Sequence, residues 1–222
     1  MHKNYNLTKR VLDVIMAVTL LILLSPLMVV IAVAVRFDSR GPVLFRQKRL
    51  GKGQKCFTMY KFRSMIVGAE QLGTGNVCLP GDDRITRVGR FLRASSLDEL
   101  PQLFNVIKGD MSLVGPRPPL TYYPESYDRR QTRMFEVRPG ITGLAQVNGR
   151  KQVPWPQRIE MNIYYVDNLS FSLDCRIVAK TIVKVLTNAG NHNVPAQLIK
   201  KNGWKCGVIS YCPLMLLPYL LL

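Results

Sequence analysis

The stretch from Val14 to Val35 carries no charged residue, and a segment this apolar must be covered by protein or lipid. As one continuous helix, its twenty-two residues would rise ~33 Å, enough for the ~30 Å hydrocarbon core of a bilayer. Ser25-Pro26 stands at its midpoint. Proline has no N–H to offer the carbonyl of Ile22 and its ring crowds that turn, so a bend is expected there. The Ser25 hydroxyl can bond back to the preceding turn and deepen it. Each half is then ~15 Å long, which suits a dip into one leaflet and a return.

The flanks separate crossing from returning. Lys3, Lys9 and Arg10 precede the run, and Arg36, Arg40, Arg46, Lys48 and Arg49 follow it. A spanning helix carries its Lys/Arg excess on the cytoplasmic side alone. A bias at both ends predicts that both ends stay in the cytoplasm, so Lys9, Arg10, Ser25 and Pro26 are read as topology residues of a re-entrant hairpin. A kinked single-pass anchor is the alternative, because membrane helices tolerate proline. A cleaved signal peptide ending at Ala32-Val33-Ala34 is a third reading. Its apolar stretch is too long, Asp13 guards the entrance, and the downstream flank is strongly basic.

Of 222 residues, those beyond the membrane segment suffice for one compact domain, and a 47% hydrophobic composition supplies its core. The formal charge of +17 suits nucleic acid, an anionic lipid surface or a phosphorylated substrate. Beside a membrane segment, anionic lipid is the expected partner. Nucleic acid is not, since no binding module or aromatic–basic alternation is present. Five scattered cysteines form no C-x-x-C pair, and His2 and His192 are the only histidines. A zinc site, a disulfide framework and a histidine triad are therefore not expected. Carboxylates, arginines and hydroxyls are left to carry the chemistry.

Along the chain, Val43-Leu44-Phe45 and Phe57 to Phe62 read as strands joined across Gly51-Lys52-Gly53. Ile85, Val88 and Leu92 mark a helix with Arg84, Arg87, Arg90 and Arg93 interleaved. A second helix is predicted to start near Ser96 to Asp98 and to close at Gly109. Gly115-Pro116-Arg117-Pro118-Pro119 must be a rigid extended loop. Glu125 to Phe135 reads as a charged helix-like segment, and 138–150 as coil with a short strand. Arg158–Val166 and Leu173–Leu186 read as helices, the latter with Arg176, Lys180 and Lys184 as a basic stripe fit for a lipid surface. The domains are therefore a basic N-terminus (1–12), a membrane hairpin (13–36), a compact cytoplasmic domain (37–195) and an unassigned tail (196–222).

Asp98-Glu99 stands between the arginine-bearing helix and the arginine loop. Ser96-x-x-Glu99 also fits a helix capping box, and an aspartate at a helix start gains from the dipole without reacting. Adjacent carboxylates among arginines can instead divide the labour, one holding Mg²⁺ and the other attacking phosphorus.

Ser96-Leu97-Asp98-Glu99-Leu100-Pro101-Gln102-Leu103-Phe104-Asn105-Val106, followed by Lys108-Gly109-Asp110-Met111-Ser112-Leu113-Val114-Gly115-Pro116-Arg117-Pro118, closely resembles the signature of the bacterial sugar transferases, the monotopic phosphoglycosyl transferases. Lys9-Arg10-x-x-Asp13, Ser25-Pro26, Tyr60 to Met65 and Arg138 to Arg150 match the same family in order. The resemblance implies a mixed α/β protein: a re-entrant helix-break-helix, then a compact, largely helical cytoplasmic catalytic domain with a small β element. It implies transfer of a sugar 1-phosphate from a UDP-sugar to undecaprenyl phosphate at the inner membrane, with release of UMP, as the first membrane step of glycoconjugate assembly. In that scheme Asp98 is the nucleophile, forming a phosphosugar-aspartyl intermediate, and Glu99 binds Mg²⁺. Arg93, Arg117 with Pro116 and Pro118, and Asp174 are implied substrate-binding positions, while Lys61, Arg63, Arg138 and Arg150 are further candidates. Helix capping accounts equally well for Asp174. The multi-helix N-terminal extension of larger relatives has no counterpart, so a small single-domain member is expected, with a homodimer left open. The rival reading is a non-catalytic basic membrane-surface adaptor for glycan assembly enzymes.

Overall fold

The computed structural model describes residues 2–72, 81–121, 127–149 and 153–187. Arg150 and the tail assigned to 196–222 lie outside the described residues. A 37-residue helix, α1 (His2–Asp38), leads into a two-stranded antiparallel hairpin of β1 (Leu44–Leu50) and β2 (Cys56–Phe62). Two helices follow, α2 (Arg87–Ser95) and α3 (Gln102–Lys108). Next come β3 (Ser112–Val114) and β4 (Gly140–Thr142), which pair in parallel. Helices α4 (Leu144–Val147), α5 (Trp155–Asp167) and α6 (Phe171–Thr187) complete the described chain. The mixed, mostly helical class is as expected.

The expected helix-break-helix is not seen, because α1 stays helical through Pro26. The Ser25 hydroxyl explains how: it donates to the Ile22 carbonyl at 2.8 Å, satisfying the acceptor that Pro26 cannot serve. Among the described residues, α1 is the one helix long and apolar enough to cross a membrane, by length and composition.

One face of α1 is packed on the domain along most of its length. Ala17, with Leu20 and Leu21, sits on Phe57, Met59, Leu103 and Val106. Further along, Ile31 and Val35 sit on Phe62 and Leu92. The opposite face is apolar and exposed at both ends of the helix, with Ile15, Ile22, Val29 and Val33 each at least half exposed. A third cluster, of Val114, Val147, Met161, Tyr165 and Ile177, joins α5 and α6 to β3.

Polar groups fasten α1 as well, and these include the residues read as topology signals. Lys9 Nζ donates to Asp174 at 2.6 Å, and Arg10 donates to the carbonyls of Val106 (2.6 Å) and Ile107 (3.0 Å) at the end of α3. Asp13, buried, accepts from the Ser112 hydroxyl at 2.6 Å and the Leu113 amide at 3.2 Å. The basic start of α1 is thus a set of bolts to α3, β3 and α6. Asp174 also accepts from the hydroxyls of Tyr5 and Tyr165, each at 2.7 Å.

Candidate active site

The chain reaches the acidic pair through an abrupt change of direction. Helix α2 ends at Ser95, and the next residue, Ser96, takes a left-handed conformation (φ 60°). Leu97–Glu99 then form a single 3-10 turn, and α3 starts only at Gln102, behind Pro101. The expected capping box is not formed: Ser96 makes no side-chain cap, and the Glu99 carboxylate is engaged elsewhere. The pair projects from a turn ahead of the helix, with Asp98 buried at 9% exposure.

Three cations converge on it. Lys61, from β2, donates to Glu99 Oε1 at 2.8 Å, and Arg117 Nη2 donates to the same oxygen at 2.9 Å. Arg93, in the last turn of α2, lies close enough for its charge to act on Asp98 and donates to the Ser64 hydroxyl at 3.4 Å. The α2 backbone can come this near Ser64 because residue 89 is glycine; a Cβ there would meet the Ser64 carbonyl at 2.0 Å.

The loop carrying Arg117 is tied at both ends. The Pro116 carbonyl accepts from the Gly140 amide at 2.9 Å, the Pro118 carbonyl from Arg49 at 3.2 Å, and the Pro119 carbonyl from the Leu50 amide at 3.1 Å. Prolines on either side fix φ, so the guanidinium is presented from a stiff support. Gly115 permits the close crossing of β3 and β4 that launches the loop, since a Cβ there would meet the Arg138 carbonyl at 2.5 Å.

This environment pushes the two carboxylates apart. Burial first, then the adjacent Glu99 charge, raises Asp98 to about 6 against the pull of Lys61, Arg93 and Arg117. Burial would raise Glu99 too, but the charges of Arg117 and Lys61 and their hydrogen bonds overcome it and hold Glu99 well below the usual carboxylate range. At neutral pH both groups are ionised, with Glu99 neutralised by two cations and Asp98 bonded to neither of them. The arrangement leaves the Asp98 carboxylate chemically able to act as a nucleophile, with Glu99 tied to the two cations beside it.

Of the residues read from sequence, Asp98, Glu99, Arg93 and Arg117, with Pro116 and Pro118 as its supports, come together. Lys61 joins them as an ion-pair partner of Glu99. Asp174 lies outside this bonded cluster, in the network that holds α1. Arg63 is buried and donates to the carbonyls of Val35, Ser39 and Arg40, capping α1, and Arg138 donates to the Gly109 carbonyl at 2.9 Å. Two neighbours went unread: Ser64, although it lies inside the Tyr60–Met65 motif, and Arg158, which lies near enough to Arg117 for the like charge to lower it after burial does. No local pattern marks Arg158.

Two adjacent carboxylates offer hard oxygen donors of the kind Mg²⁺ takes, and one or two suffice when substrate phosphates complete the shell. Among the described residues no cluster of three or more His, Cys, Asp or Glu side chains forms a self-sufficient metal site.

The family model described as bacterial sugar transferase matches residues 4–188. The chain belongs to the bacterial sugar transferase family. This sugar transferase is 47% identical over 182 residues to the uncharacterized sugar transferase EpsL of Bacillus subtilis, covering 82% of this chain and 89% of that one. It is 46% identical over 192 residues to an Aeromonas hydrophila protein named UDP-N-acetylgalactosamine-undecaprenyl-phosphate N-acetylgalactosaminephosphotransferase (84% of this chain, 45% of the relative). A Caulobacter vibrioides protein named UDP-glucose:undecaprenyl-phosphate glucose-1-phosphate transferase is 44% identical over 190 residues (82% of this chain, 71% of the relative). The sugar transferase is thus an enzyme of the phosphoglycosyl transferase class, which sets aside the non-catalytic adaptor.

Proposed function

We propose that this sugar transferase moves a sugar 1-phosphate from a UDP-sugar to undecaprenyl phosphate through a covalent intermediate on Asp98. The carrying observation is the buried Asp98 carboxylate beside a Glu99 already neutralised by Lys61 and Arg117. An oxygen of Asp98 attacks the β-phosphorus of the UDP-sugar, and the bond from that phosphorus to the oxygen bridging the two phosphates breaks. UMP leaves with that oxygen and its electron pair. The lipid phosphate then attacks the same phosphorus, the acyl-phosphate bond breaks, and the Asp98 carboxylate is restored. Splitting the reaction lets a soluble donor and a membrane acceptor use one small site in turn.

Arg93 and Arg117 bind and orient the diphosphate, with Arg117 supplying a guanidinium fork from its stiff loop. Lys61 keeps Glu99 fixed beside the reacting carboxylate. Mg²⁺, held by Glu99 and the substrate phosphates, would neutralise charge on the transferring phosphoryl group.

The same reading takes the protein as monotopic on the cytoplasmic face of the inner membrane. Contacts with the domain at Ala17, Ile31 and Val35 support it, because a helix spanning the bilayer from 14 to 35 would drag that domain into hydrocarbon. Exposed Phe91 on α2 and Phe104 and Ile107 on α3 extend the apolar surface beside α1. Undecaprenyl phosphate fits such an enzyme, since its tail stays in the leaflet while its headgroup reaches the site.

A panel of UDP-sugars with undecaprenyl phosphate tests the reading. One or more donors should release UMP rather than UDP, and Asp98→Asn should lower that rate by ~10³-fold or more. Release of UDP, or a robust Asp98→Asn enzyme, overturns it.

A further inference from the structure

We infer that Glu99 is held as the counter-ion of Lys61 and Arg117 until the nucleotide arrives, so that the divalent metal enters with the diphosphate and not before it. The inference rests on the proposed role of Glu99 as metal ligand and adds the order in which the site is assembled.

Both cations bond to the same oxygen of Glu99, Lys61 at 2.8 Å and Arg117 at 2.9 Å. The Lys61 and Glu99 side chains are little exposed, at 14% and 18%, so water screens this pair weakly. Counting Arg93, three cations face two carboxylates, and a divalent ion approaching the nucleotide-free site meets a net positive cluster. Mg²⁺ gives up its waters reluctantly and would gain at most Asp98 and the second oxygen of Glu99. A diphosphate reverses the balance: its two negative charges outweigh the excess cation, and its oxygens fill the rest of the metal's shell.

The two cations are placed for unequal parts. Lys61 belongs to β2, whose backbone is pinned to α3 by Asn105: the Tyr60 amide donates to Asn105 Oδ1 at 3.0 Å, and Asn105 Nδ2 donates to the Thr58 carbonyl at 2.7 Å. Its ammonium therefore stays with Glu99. Arg117 is 46% exposed at its side chain and sits on a loop at the rim. It can turn from Glu99 to the incoming diphosphate, releasing that carboxylate to the metal. Lys61 is a positioning residue in this scheme: it holds Glu99 in place and opposes metal entry before the nucleotide, while the turn of Arg117 sets when Glu99 becomes available.

The test is direct metal binding, with Mn²⁺ read by electron paramagnetic resonance on the full-chain enzyme in detergent, with and without saturating UDP. Wild-type enzyme should bind Mn²⁺ at least tenfold more tightly with UDP, after correction for the Mn²⁺·UDP complex in buffer. Lys61→Met should tighten binding in the absence of nucleotide by about tenfold and shrink the UDP effect. Equal Mn²⁺ affinity with and without UDP in the wild type overturns the inference whatever the variant does, as does a folded Lys61→Met enzyme whose nucleotide-free affinity is unchanged. Glu99→Gln separates the two layers. If it keeps full Mn²⁺ binding in the presence of UDP, Glu99 is not the ligand and the underlying reading fails; if it loses Mn²⁺ binding while the wild type binds equally with and without UDP, only the order of entry fails.

Discussion

Asp174→Asn is expected to unfasten α1 from the catalytic domain and leave the chemistry intact. The carboxylate is buried, accepting on one oxygen from Lys9 (2.6 Å) and Tyr5 (2.7 Å) and on the other from Tyr165 (2.7 Å). Asparagine keeps the shape and one acceptor. Its NH₂ must face either Tyr165, whose hydroxyl can turn to accept, or the Lys9 ammonium, which cannot. Asparagine therefore turns its oxygen to Lys9, and that bond loses its ionic character in a site where Lys9 is only 12% exposed. Breaking a buried pair costs ~3–5 kcal/mol, and Asp13 at 3.8 Å from Lys9 offsets part of it, which puts the cost at ~3 kcal/mol. For a chain of this size each kcal/mol is ~2–4 °C in Tm, so thermal unfolding in detergent should shift down by ~6–12 °C. Lys9→Met should cost much less in the Asp174→Asn background than in the wild type. The KM for the UDP-sugar, measured well below Tm, should stay within about twofold. An unchanged Tm with a KM raised tenfold would refute this account and return Asp174 to the substrate site.

Two further outcomes follow from the site and from α1. Because burial and the Glu99 charge raise Asp98 to about 6, its carboxyl group is protonated below that pH and ionised above it. Single-turnover UMP release without lipid acceptor should climb as pH rises through about 6 and level off above ~7, and a profile flat down to pH 5 would exclude Asp98 as the titrating nucleophile. In a cysteine-free background, Leu7→Cys and Phe37→Cys, exposed at the two ends of α1, should both react with an impermeant maleimide in inverted membrane vesicles and neither in spheroplasts. Labelling from opposite sides would mean that α1 spans the bilayer.

What could be read from the sequence was what local pattern or charge encodes. The apolar run, the alternation in Phe57 to Phe62, the proline-stiffened Arg117 loop and the helical periods of α5 and α6 each announce themselves within one continuous segment. Partnerships between distant segments do not. Ser112 and Val114 pair with Gly140 and Thr142 across a long intervening segment, so β3 has no signal of its own in a three-residue strand. Ser96-x-x-Glu99 has the letters of a capping box, but Lys61 and Arg117 compete for that glutamate and win, and Ser96 turns left-handed instead. Charge counting makes Lys9 and Arg10 signals of a cytoplasmic flank and cannot show their partners, Asp174 and the end of α3, which lie far along the chain. Pro26 reads locally as a breaker, and the residue that lets the helix continue is its neighbour Ser25.

The central claim is that the Asp98 side chain carries the sugar phosphate between the two substrates. Intact and peptide mass spectrometry of purified enzyme, incubated with a competent UDP-sugar and Mg²⁺ but no lipid acceptor, tests it most directly. A sugar-phosphate adduct on the peptide containing Asp98, absent from Asp98→Asn and discharged on adding undecaprenyl phosphate, is the predicted result. Steady UMP release with lipid present, and no adduct when lipid is withheld, would contradict it and point to direct transfer between the substrates.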